Sequence, residues 1–180
     1  EAIIAPAFSA SLTKQGEEDC QILLGQWNDP YTGTTVKDSS LLDIDHMVPL
    51  KNAHDSGASS WTSTKKRQYY NFLDRKNHLI ATIKSTNASK GHRGPEQWRP
   101  PKQEYWCQYA IDWIGIKTHW NLSSSIEEKT ALEEMLNFCP EVIELSFVYL
   151  PTATPKPVPT KTPINIHSNI WEGINRLPIL

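Results

Sequence analysis

The 180-residue sequence has only three cysteines, Cys20, Cys107 and Cys139. None stands in a CxxC pair, which excludes a four-cysteine zinc site, and an odd number allows at most a single intrachain disulfide. No run of about 18 apolar residues occurs, so no segment reads as a membrane-spanning helix. Positive charge is not in excess: the net charge is −2, which argues against a wholesale polycation. Helix-turn-helix, zinc-finger and homeodomain patterns are missing, and with them the usual devices for reading bases. The chain opens at Glu1 without a Met or a basic-then-apolar leader. It is expected to be a mature form or a fragment, with any signal peptide removed or never present.

What is present describes a globular protein. Apolar residues make up 38% of the chain and seven tryptophans are among them, enough for one domain with a real core plus tails. Charge is unevenly placed. Residues 65–102 hold ten Lys/Arg against Asp74 and Glu96, a net +8, whereas 103–150 hold Lys117 and Lys129 against eight acids, a net −6. Such polarity fits one face made for a polyanion, and also fits an ordinary solvated charged helix.

Hydrophobic periodicity divides the chain further. Residues 1–36 are weakly patterned and form an N-terminal segment expected to be partly ordered. Trp27–Gly33 reads as a turn, with Asp29-Pro30 to start it and Gly33 as the permissive position. Ser40–Asp45 alternates as a short strand, and residues 61–73 read as a helix with Lys65, Lys66 and Arg67 outside. Residues 78–84 form a second apolar strand. A brief helix follows over Thr86–Lys90, with Ser85 as its cap and Gly91 as its stop. Trp106, Tyr109, Ala110, Trp113, Ile116 and Trp120 recur at helical spacing, and their tryptophans read as core. A second helix follows, opened by Ser125 and Glu128 as a capping box. Two helices of matched length and a short connection make an antiparallel hairpin. Residues 37–145 form the main domain. Residues 146–180 are a Pro/Thr linker and tail, expected to be disordered.

The chemistry concentrates in Asp45-His46-Met47-Val48-Pro49-Leu50, then Asn77, then Ser85–Gly91. Singly these are weak signals, since an Asp-His pair is usually structural. In order they make a strand ending in Asp-His, a second strand, and a short helix carrying Asn87. Phosphodiester hydrolysis needs a base for water near neutral pH, and His46 has the suitable ordinary pKa. It also needs positive charge on the transition state. A hard divalent cation would take oxygen from Asp45 and Asn87 while keeping several waters. Neighbouring strand residues face opposite ways, so Asp45 and His46 share a site only near a strand end or bulge.

This arrangement resembles the HNH, or ββα-metal, nucleases. More narrowly it is similar to secreted bacterial HNH proteins, in the motifs Asp43–Leu50, Ser56–Trp61, Asn87–Gly91, Trp98–Pro101 and Cys107/Trp113/Lys117/Trp120, across residues 27–139. The resemblance implies an α+β fold with a ββα-metal core, built on a two-stranded antiparallel hairpin and flanked by the C-terminal helical hairpin. It implies Asp45 and Asn87 as metal ligands, His46 as general base, and Asn77 as the residue steadying the loop that carries the base. Lys90 matches a position that contacts phosphate. With Lys65, Lys66, Arg67, Arg93 and Arg99 it makes up the expected nucleic-acid surface. Relatives with a third metal-binding histidine carry it where this chain has Gly91, and His92 would point elsewhere. An Mg²⁺ or Mn²⁺ site is therefore expected over a zinc site. Relatives also have a longer stretch between the counterparts of Asp19-Cys20 and Trp27–Gly33; here only Gln21–Gln26 intervene.

The expected activity is metal-dependent cleavage of DNA, with RNA as a further substrate, with little sequence specificity, by a monomer in a secreted or periplasmic setting with no membrane partner. Two alternatives stand beside it: a catalytically inactive HNH-fold module that binds nucleic acid, and an extracellular domain that binds anionic polysaccharide. Cys107 opens one helix of the hairpin and Cys139 closes the other, so a disulfide between them is expected, as befits an oxidising compartment. His54 and His78 are secondary candidates for lining the site. His119 and His167 read as surface.

Overall fold

A computed structural model describes residues 13–14, 22–140, 173–175 and 177–179. The fold is mixed α+β, with two small antiparallel sheets and several helices. Cys20, His167 and the Pro/Thr stretch lie outside the described residues.

The first sheet runs β1 (Thr13–Lys14), β2 (Ile22–Asn28) and β3 (Thr35–Asp38), in that order and antiparallel. β2 and β3 turn at the expected place. Asp29 begins the turn and Gly33 sits at φ 74°, a backbone conformation glycine adopts without steric cost. The short stretch before Trp27 is thus itself strand, and a sequence boundary between 36 and 37 cuts through β3. The cause lies in the pattern. The β2–β3 register shifts between Leu24 and Trp27, which breaks the period-two alternation that identifies a strand.

The second sheet is β4 (Leu42–His46) against β5 (Leu79–Ile83), in register from Leu42↔Ile83 to His46↔Leu79. Between them run α1 (Leu50–Asp55) and α2 (Ser63–Tyr70), and Thr62 caps α2 by accepting from the Lys65 amide. α3 (Lys84–Lys90) follows β5 directly and packs on both strands. Its N-cap is Ile83 rather than Ser85, which lies inside the helix, and Gly91 ends it at φ 54°.

α4 (Trp106–Trp120) and α5 (Ile126–Leu136) form the helical hairpin, joined through Asn121 in the left-handed region. Trp113 and Trp120 are core residues, as their spacing implies, while Trp106 is half-buried. The capping box is only half made. Ser125 accepts from the Glu128 amide, but the Glu128 carboxylate turns inward to Trp113 Nε1, Ser124 Oγ and Lys117 Nζ, at 2.8, 2.9 and 2.7 Å. Cys107 and Cys139 are joined as a disulfide, Cα–Cα 4.9 Å. Closing this loop, with a sequence separation of 32, contributes about 3–4 kcal/mol in the chain-entropy view.

The described part of the tail, residues 173–175 and 177–179, departs from the disorder expected of it. Ile174 and Leu177 are buried in the core, Lys129 Nζ donates to the Leu177 carbonyl at 2.6 Å, and the Ser124 amide donates to Pro178 at 2.8 Å. Isoleucine and leucine without clear period carry no element signal, yet two of them suffice to anchor a segment over an α4–α5 face.

Candidate active site

β4 sets the site's geometry. Alternation places Asp43 and Asp45 on one face, and His46 ends the strand. α3 carries Asn87 and Lys90 three residues apart, hence on one helix face. That face meets the two aspartates: Asn87 Nδ2 lies 3.3 Å from Asp43 Oδ2, and Lys90 Nζ lies 2.7 Å from Asp45 Oδ1.

Asp45 is buried and doubly held. Its second oxygen accepts from the Tyr31 hydroxyl at 2.6 Å, and Lys90 also donates to the His46 carbonyl at 2.9 Å. Burial pushes the Asp45 carboxyl up and the Lys90 ammonium down, and the attraction between them opposes both. Tyr31 comes from the first sheet's turn. Buried Asp29 fixes that turn, accepting from the Tyr31 amide, the Thr32 hydroxyl and, across on β5, the Thr82 hydroxyl.

Lys90 therefore departs from the role expected of it. It is fully buried and salt-bridged, with no surface to offer a phosphate. Arg99 is largely committed as well, paired with Glu134 at 2.5 Å and lying over Trp106. Lys66, Arg67 and Arg93 are exposed, and half-buried Lys65 lies over Trp61.

His46 is half-buried. Its Nε2 is 3.0 Å from the Tyr70 carbonyl at the end of α2. A carbonyl only accepts, so Nε2 carries the proton and Nδ1 is left as the acceptor. Burial holds the imidazole below its ordinary pKa, so the neutral form prevails at pH 7. The neighbouring Tyr69 carbonyl takes His78 Nε2 at 2.8 Å. Two carbonyls at the C-terminal end of α2, of which Tyr69's also accepts from the Phe72 amide, thus orient two imidazoles, edge to face at 6.0 Å. His78 is buried, its pKa pushed down to about 4 by desolvation. His54 and His119 are exposed. His92 is exposed too, beyond the end of α3, so its helical angle to Asn87 does not apply.

Asn77 does not touch the His46 ring. It sits at φ 66°, a region asparagine tolerates, and its Nδ2 donates to Asp112 Oδ2 of α4 at 2.7 Å. It ties the α2–β5 loop to the helical hairpin.

Among the described residues no three His, Cys, Asp or Glu side chains gather as a metal cage. Oxygen donors are nonetheless available. A carboxylate has about four lone-pair sites, and Asp45 spends one per oxygen on Tyr31 and Lys90. The Asn87 side-chain oxygen, Oδ1, accepts no hydrogen bond among the described residues, while its backbone carbonyl takes the Gly91 amide. Asp43 offers a second carboxylate, half-buried beside it. This set fits a hard cation that keeps most of its waters, held weakly because Lys90 offsets one of the two negative charges. Sequence reasoning missed Tyr31 and Asp43. The first was hidden 14 residues upstream in a turn motif, while the second was visible as the alternate residue of the strand.

A secreted protein of uncharacterised function from the fungus Arthroderma benhamiae is 45% identical over 125 residues, covering 69% of this chain and 61% of that protein. The chain therefore spans less than two thirds of that relative's length, and the relative is fungal where the motifs resembled bacterial proteins. No solved structure matches. Residues 2–135 match the family described as GmrSD restriction endonucleases, C-terminal domain. That match spans most of the chain, and the chain belongs to this family of nuclease domains.

Proposed function

We propose that this protein is a metal-dependent HNH-type endonuclease that hydrolyses phosphodiester bonds in DNA, with RNA as a further substrate, and with little sequence specificity. The observation that carries the reading is His46: its Nε2 proton is committed to the Tyr70 carbonyl, its Nδ1 is left as an acceptor, and it stays neutral at pH 7. Nδ1 takes a proton from water, the water oxygen attacks phosphorus, and the bond to the leaving oxygen breaks. Asp45 and Asn87, with Asp43 beside them, would hold Mg²⁺ or Mn²⁺, which supplies charge stabilisation for the phosphorane-like transition state. Tyr31 and Lys90 fix the Asp45 carboxylate, and Asn77 fixes the loop that follows Tyr70. Lys66, Arg67 and Arg93 would meet backbone phosphates. The disulfide and a relative described as secreted support an extracellular setting.

One observation favours a catalytically silent binding module instead: Lys90 already stands where positive charge would be needed beside Asp45. Supercoiled plasmid decides between them. The enzyme reading expects nicking with Mg²⁺ or Mn²⁺ that stops with EDTA and returns when metal is restored. Binding without nicking under any of these conditions supports the silent module, and nicking that persists in excess EDTA rejects the metal.

A further inference from the structure

Beside His46 lies a cavity of about 260 Å³ that the proposed chemistry does not use. Its lining includes Leu50, His54, Trp61, Lys66, Tyr69 and Tyr70. Carboxylates are absent from the lining, and the walls are mainly apolar and aromatic. The volume is just below that of a drug-sized ligand site, about 300–1,000 Å³, and suits one flat ring system. Leu50 and Tyr70 are large apolar groups left 44% and 54% exposed at its edge.

Two observations say what enters. The first is continuity with the site. Tyr70 gives its carbonyl to His46 and its ring to the cavity, and that ring's centre is 5.1 Å from the imidazole's. Whatever fills the cavity is therefore joined to, or lies beside, the group at His46. The second is charge. α2 reads STKKRQYY, with three cations and no acid. Lys66 lines the cavity and Lys65 lies 4.3 Å over the Trp61 ring. An apolar aromatic slot edged by cations matches a base with phosphates on either side.

We propose that this cavity is a nucleobase subsite. It takes one unstacked base of the strand whose phosphate stands at His46, and so selects single-stranded or locally unpaired nucleic acid. The proposal rests on the nuclease reading and narrows its substrate class. A paired base in duplex has both faces covered by its neighbours and cannot enter without the cost of unstacking. An unstacked base presents a π face to Trp61 and Tyr70, and stacking of this kind is indifferent to base identity, as low sequence specificity requires.

The test measures binding in EDTA, without cleavage, by fluorescence anisotropy. Three probes are compared: a labelled single-stranded oligodeoxynucleotide, the same strand made of abasic residues, and the corresponding duplex. The intact single strand should bind about 5- to 150-fold tighter than the abasic one, the range that loss of a base–aromatic stack gives. Tyr70→Ala should erase most of that difference, while Tyr70→Phe should retain it. Leu50→Glu, at the exposed edge, should act like Tyr70→Ala. Equal affinity for intact and abasic strands overturns the subsite, and so does equal weakening of all three probes by Tyr70→Ala. A concentration-dependent dimer that Tyr70→Ala abolishes, with oligonucleotide binding unaltered, assigns the cavity to a second copy and also overturns it. Failure to bind any of the probes removes the nuclease reading as well, whereas binding without discrimination removes only the subsite.

Discussion

Removing the Lys90 ammonium leaves Asp45 buried with only the Tyr31 hydroxyl as donor. Breaking a buried pair in this way costs about 3–5 kcal/mol, because the remaining charge is uncompensated. Lys90→Met is expected to lower unfolding free energy by about that amount in chemical denaturation. Lys66→Ala is expected to cost little stability but to reduce the log–log salt slope of duplex binding by about 0.9 if it meets one phosphate. A Lys90→Met protein as stable as the parent would mean that the pair does not hold Asp45. The contrast explains what was legible here. That β4, ending in Asp45-His46, would lie against α3, carrying Asn87, could be read from the order of these elements. Lys90 looked like any other lysine of a basic stretch, since burial depends on which helix face meets the sheet. Tyr31 could not be read, because nothing in a turn motif says which distant carboxylate its hydroxyl reaches.

The end of α2 is the element on which the site depends, and it titrates. His78 is held at about 4 against an unfolded value near 6.5. Because the folded value is depressed, the unfolded chain binds more protons between these limits, and stability rises with pH across them. The contribution is complete above about pH 6.5 and is lost as pH falls towards 4. The groups facing His78 are His46 from β4, His119 from α4 and Arg75 from the preceding loop, all disfavouring its protonation. His46, also depressed, adds in the same direction. Denaturation midpoints should fall between pH 6.5 and 4, and His78→Gln should flatten part of that fall; an unchanged profile in the variant would contradict the assignment. Helices α4 and α5 were legible because an apolar repeat at helical spacing survives any tertiary context. β2 and β3 were not, because a register shift breaks alternation. The inward turn of Glu128 was not either, since a capping box and a buried ion pair share one sequence signature.

At the scale of the molecule, the described tail residues and the first sheet both pack on the domain that carries the site. Ile174 is wholly buried, and Ile174→Ala should cost about 2–5 kcal/mol, read by thermal or chemical unfolding. A negligible change would show the tail to be dispensable. The turn between β2 and β3 reaches the site through Asp29 and Tyr31, so a boundary at residue 36 divides what the fold joins. His46, held by a backbone carbonyl beside an Asp–Lys pair, is the proposed base for phosphodiester hydrolysis. Single-turnover cleavage by His46→Ala, paired with its binding of an uncleavable duplex, tests that role most directly. A base at this position gives a rate loss of about 10²–10⁴-fold or more in the variant with duplex binding retained, because the basic surface is untouched. Cleavage at the parent rate would contradict that role, and joint loss of binding and cleavage would make His46 structural.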